Sequence, residues 1–102
     1  MEKPKPIFRI LIVEDDPERI AQIRSLIPTD IKIVVASSAG KAIGILERDR
    51  GNVYAGIMLD YNLERQPATE MDLELTGQHV VDAIIRNVNT GVPILIHSKN
   101  VS

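Results

Sequence analysis

The stretch ILIVEDDPERI, Ile10 to Ile20, runs four apolar residues into Glu14, Asp15 and Asp16 and then a proline. With Phe8 and Arg9 ahead of it, Phe8 to Val13 is a near-continuous apolar run, the pattern of a strand covered on both faces in a parallel sheet. Asp16 before Pro17 reads as an N-cap with proline in the first helical position. Ile20, Ile23, Leu26 and Ile27 then share one helical face until Pro28 stops it. A strand that ends on carboxylates and turns at once into a helix is the first half of a βαβ unit.

The rest of the chain repeats that alternation. Ile31 to Ala36 is a second strand, and Ser37 or Ser38 caps a helix whose core face is Ala39, Ala42, Ile43 and Leu46, closed by Gly51 as a C-cap glycine. Tyr54 to Leu59 is a third strand ending on Asp60. A polar, acidic segment from Tyr61 to Thr76 follows, long for a βα loop. Gly77 opens a helix with Val80, Val81, Ile84, Ile85 and Val88 at core spacing. After the turn at Asn89 to Gly91, Val92 to Ile96 is a fourth strand. The expectation is one α/β domain over residues 1–102, a three-layer flavodoxin-like parallel sheet of four strands and three helices with right-handed crossovers.

Composition narrows the function. Apolar residues are 44% of the 102 and charged ones 25%, ordinary for a globular core. Twelve basic residues scatter among fourteen acidic ones, so no basic footprint for nucleic acid exists. Tyr54, Tyr61 and Phe8 are the only aromatic residues, too few for a base-stacking platform. The absence of cysteine removes disulfides and thiolate sites and fits a reducing compartment, the cytoplasm by expectation. The start MEKPKPIF has no apolar signal core, and no apolar run approaches the roughly 18 residues that span a bilayer.

In an open α/β sheet, ligands bind outside the carboxyl ends of the strands. Those ends carry Glu14, Asp15 and Asp16, then Asp60, then His97, Ser98 and Asn100. Asp16 is spent as a helix cap, and His79, early in a helix, reads as a surface or structural residue. Neighbouring carboxylates repel and are stable as charges only around a cation, and an all-oxygen set with room for waters and a phosphoryl group suits Mg²⁺. Asp60 is then the candidate nucleophile for an acyl phosphate, and Ser98 a hydroxyl for the phosphoryl oxygens.

On these residues the chain resembles a response-regulator receiver domain, in which an acidic pair follows the first strand, a phosphoacceptor Asp ends the third and a Ser or Thr ends the fourth. Glu14 and Asp15 match the pair, Asp60 in GIMLDYNL the acceptor, and Ser98 in VPILIHS the hydroxyl. The resemblance implies that Asp15 and Asp60 ligate Mg²⁺ with the backbone carbonyl of Asn62, that Glu14 acts mostly through water, and that a histidine kinase or small phosphodonor supplies the phosphoryl group. LDYNLE, TGQHVVDAI and PILIHSKN are similar to a narrower branch, the cyclic-phosphate-processing receivers, where a His-Ser-x-Asn pattern follows the fourth strand. His97, Ser98 and Asn100 fit that pattern, whereas Tyr61 stands where the branch more usually has His.

Receivers usually continue through a further helix, strand and helix, with a phosphoryl-pairing Lys at the end of the fifth strand. Lys99 is not at that position. An incomplete receiver fold, truncated after the fourth strand, is the expectation, and with strand order 2-1-3-4 that strand is a bare edge through which a homodimer would pair. Three functions compete: a phosphoacceptor module, the leading one; an enzyme acting on phosphate esters with His97 as general acid or base; and a non-phosphorylated interaction domain.

Overall fold

The computed structural model describes residues 8–51, 53–60 and 77–97. Strand β1 (Arg9–Val13) leads to helix α1 (Pro17–Leu26), β2 (Lys32–Ala36), α2 (Ala39–Arg48), β3 (Gly56–Asp60), α3 (Gly77–Asn87) and β4 (Ile94–His97). All strand pairs are parallel, as the alternating pattern predicts, and their order is β2-β1-β3-β4, the order taken as a premise in the sequence reading. Its register aligns Val13 with Ala36 on one side and Leu59 on the other, and Asp60 with His97, so four strands finish along one edge.

One face of the sheet is well packed. Leu11, Val13, Ile57 and Leu59 meet Ala42 and Leu46 of α2 and Val80, Ala83 and Ile84 of α3 in one buried cluster. The alternation of side chains along β1 and β3 turns Ile12 and Met58 to the other face, where α1 lies. Helix α1 buries no residue fully, and its Leu26, expected at the core, is 83% exposed. Ile85 of α3, also expected inside, is 73% exposed. In both cases the 3.6-residue stripe is wider than the surface that the neighbouring element covers.

Local signals explain where the elements start. Asp16 Oδ1 accepts from the Glu18 N–H at 3.0 Å with Pro17 beginning the helix, and Ser38, rather than Ser37, caps α2 by accepting from the Lys41 N–H at 3.2 Å. The end of α2 corrects the expectation: its C-cap is Asp49, and Gly51 lies two residues on. With φ of +86° Gly51 forms a parallel bridge to Val88, donating its N–H to the Asn87 carbonyl at 2.8 Å. A glycine there serves a left-handed backbone position that ties the end of α2 to the end of α3. Tyr54, expected inside β3, precedes it; it is buried and donates its hydroxyl to Asp49 Oδ2 at 2.7 Å. Burial, and then that carboxylate, push the phenol from its ordinary value up to about 12.

The fourth strand begins two residues later than the sequence suggests and ends on His97, with Ile94, Leu95 and Ile96 exposed by 40 to 59%. No helix among the described residues is long and apolar enough to cross a membrane.

Candidate functional site

The carboxyl end of β1 is tied to its neighbour by the Glu14 N–H, which donates to the Ala36 carbonyl at 3.0 Å. That bond carries the sheet one residue past the strand and fixes the direction in which Glu14 and Asp15 leave it. Glu14 Oε2 accepts from its own neighbours, the Asp15 N–H at 3.0 Å and the Asp16 N–H at 3.4 Å. Helix α1 begins immediately afterwards, and the positive end of its dipole favours acidic side chains at this turn.

Asp60 closes β3 beside them. Glu14, Asp15 and Asp60 each offer a carboxylate oxygen, all within 4.8 Å of one another, and the three residues are only 2, 6 and 3% exposed. The sequence reading brings together the same three residues. Asp16, assigned to capping, does cap, and His79 lies exposed on α3. Tyr61, Asn62, Ser98, Lys99 and Asn100 lie outside the described residues, and with them the expected carbonyl ligand, the hydroxyl and the His-Ser-x-Asn asparagine.

The donor set can be tested against Mg²⁺. All three groups are hard oxygen donors with no sulfur or nitrogen among them, the preference of that cation. An octahedral ion with ligands at about 2.1 Å spaces its oxygens at about 3 to 4 Å, so small side-chain adjustments within the cluster accommodate it. The residues fit the ion.

Sequence reasoning missed Arg19. Its Nε lies 3.3 Å from Glu14 Oε1, and its Nη1 donates to His97 Nε2. A guanidinium can only donate, so Nε2 is the acceptor in this contact. Arg19 thereby links the acidic turn after β1 to the end of β4. A charged residue in the first turn of an amphipathic helix ordinarily faces solvent, and the available signal was the side-chain direction, back over the turn that precedes its own Cα and toward the strand ends.

Arg19, Glu14, Asp60 and His97 border a groove of about 680 Å³ between α1 and the sheet, which also takes in apolar residues such as Ile12, Ile23, Met58 and Leu95. Its polar end is the carboxyl edge of the sheet and its wall is the thinly covered α1 face.

Comparison with known proteins places this chain in a family. A family model described as the cyclic-phosphate processing receiver domain matches residues 9–102. The chain belongs to that family. Among solved structures, this receiver domain is similar to the bacteriophytochrome response regulator AtBRR, with a TM-score of 0.65 and 17% identity over 94% of this chain and 69% of the other. At that identity the likeness speaks for the fold, which is that of a response regulator. No curated protein matches the receiver domain.

Proposed function

We propose that this receiver domain is a signalling module that binds Mg²⁺ and accepts a phosphoryl group on Asp60. The observation that carries the reading is the meeting of three buried carboxylates within 4.8 Å at the carboxyl edge of β1 and β3. Arg19 is within ion-pair reach of Glu14, and one positive charge neutralises at most one of the three. Ionised carboxylates this close favour a divalent cation among them.

Asp15 and Asp60 would hold the ion directly, with the Asn62 backbone carbonyl. Glu14, whose Oε2 accepts two backbone N–H groups and whose Oε1 faces Arg19, would act through water. A bound Mg²⁺ supplies charge neutralisation for the incoming phosphoryl oxygens. An Asp60 carboxylate oxygen attacks phosphorus; the new O–P bond makes an acyl phosphate, and the bond to the donor breaks with its electron pair leaving on the donor. The donor is a phosphoimidazole of a histidine kinase or a small acyl phosphate. Ser98, next after His97 in the chain, would donate its hydroxyl to a phosphoryl oxygen.

Fluorine NMR with beryllofluoride and Mg²⁺ tests this. A bound beryllofluoride signal that needs Mg²⁺ and vanishes in Asp60→Asn supports the reading; no bound signal in the wild type refutes it.

A second reading is favoured by the groove. At about 680 Å³ it is of the size that takes small organic ligands and far larger than a phosphoryl group needs, and His97 borders it in register with Asp60. On this reading the site hydrolyses a cyclic phosphate ester: water adds to phosphorus, one ring P–O bond breaks, and His97 moves the proton to the leaving oxygen. Turnover of a cyclic nucleoside phosphate that is lost in His97→Ala would support it. The exposed apolar edge of β4 also supports a homodimer by strand addition, which light scattering would report as a doubled mass. Cytoplasmic location and a single-domain organisation belong to the same reading.

A further inference from the structure

Arg19 sits in the first turn of α1, and its side chain is 35% exposed, neither sunk in the core nor free in solvent. It borders the groove that Asp60 and His97 also border. A guanidinium carries five N–H donors in a rigid planar fork that matches phosphate oxygens two at a time. Nε is committed to Glu14 and one Nη1 donor to His97, so the described contacts use part of the fork.

The two contacts differ in strength. The bond to Glu14 joins opposite charges, while the contact with His97 is made to a ring nitrogen that carries no negative charge, so it lacks the Coulomb attraction of an ion pair. A phosphoryl dianion arriving at Asp60 therefore competes well for the Nη1 donors and poorly for Nε.

Resting on the phosphoacceptor reading above, we propose that Arg19 is a phosphoryl-binding residue: Glu14 anchors its Nε, and its Nη donors leave His97 Nε2 for the phosphoryl oxygens on Asp60. Arg19 thus supplies from α1 a cation for the acyl phosphate that the metal ion alone does not provide. Release of His97 Nε2 accompanies loading, so His97 reports whether the site is occupied.

The test is isothermal titration of the full chain, first with Mg²⁺ alone and then with beryllofluoride at saturating Mg²⁺, in the wild type, Arg19→Ala and Arg19→Lys. Loss of a charge-assisted donor predicts beryllofluoride affinity about tenfold or more weaker in Arg19→Ala. Arg19→Lys, which keeps the charge but loses the fork, falls between the two. Mg²⁺ affinity in Arg19→Ala stays equal or tightens, because a cation facing Glu14 is gone. The His97 ring nitrogen shifts on beryllofluoride binding in the wild type and much less in Arg19→Ala. Equal beryllofluoride affinity in Arg19→Ala and wild type overturns the proposal while leaving the phosphoacceptor reading intact. A parallel loss of Mg²⁺ affinity also overturns it, since Arg19 would then only prop Glu14. A wild type that takes up no beryllofluoride removes the phosphoacceptor reading and this proposal together.

Discussion

Replacing Asp60 by Asn keeps the shape of the side chain and removes one of the three charges. Two unit charges 4.8 Å apart repel by about 3.5 kcal/mol at an effective dielectric constant of about 20. Asp60 faces two neighbours at or inside that distance, so the repulsion it brings is on the order of 7 kcal/mol before Arg19 and solvent offset part of it. A net gain of about 1 to 3 kcal/mol for metal-free Asp60→Asn is the expected result, which for a domain of this size raises Tm by about 5 to 15 °C. The wild type should recover a similar gain from Mg²⁺: free ion at a hundredfold excess over Kd stabilises by about 2.7 kcal/mol. Asp60→Asn should respond far less. Differential scanning calorimetry with a chelator and with Mg²⁺ measures all four states. An Asp60→Asn protein no more stable than the metal-free wild type, and still stabilised by Mg²⁺ to the same degree, would refute the repulsion argument.

Three further outcomes follow from the packing. Tyr54, held neutral up to about pH 12 against an unfolded value near 10, contributes stability that is fully present below pH 10 and lost as pH rises through 12. The advantage of the wild type over Tyr54→Phe in urea unfolding should therefore shrink across that window, by up to about 2 to 3 kcal/mol, and an unchanged difference would contradict the burial of the phenol beside Asp49. Ser38→Ala should cost about 1 kcal/mol and Ser37→Ala less than half of that, measured the same way, because only Ser38 caps α2. Leu46→Ala, at the fully buried contact of α2 with the sheet, should cost about 2 to 5 kcal/mol and lower the urea midpoint accordingly.

Much of the fold was legible because local and long-range signals agree. Leu11, Ile12 and Val13 are apolar on both faces because helices flank the sheet, and Asp16-Pro17 marks the start of α1 by backbone chemistry alone. The acidic site was legible for a different reason: parallel topology forces the ends of β1 and β3 together, so Glu14 and Asp15 must meet Asp60 once the strand order is known. What stayed hidden depends on partners distant in sequence. Gly51 looked like a helix cap, and only the bridge to Val88 explains its positive φ. Leu26 and Ile85 obey helical periodicity, yet no neighbouring element covers them among the described residues. Arg19 is one of many charged residues on helix surfaces, and its meeting with His97 across 78 positions is a product of the sheet register.

The central claim is that Asp60 accepts a phosphoryl group with the help of Mg²⁺ held by the acidic cluster. Intact-protein mass spectrometry after incubation with a small acyl phosphate measures it directly. The prediction is a single phosphoryl adduct per chain that requires Mg²⁺, is cleaved by hydroxylamine as an acyl phosphate is, and is lost in Asp60→Asn. An unmodified wild type, or an adduct that persists in Asp60→Asn, would contradict it.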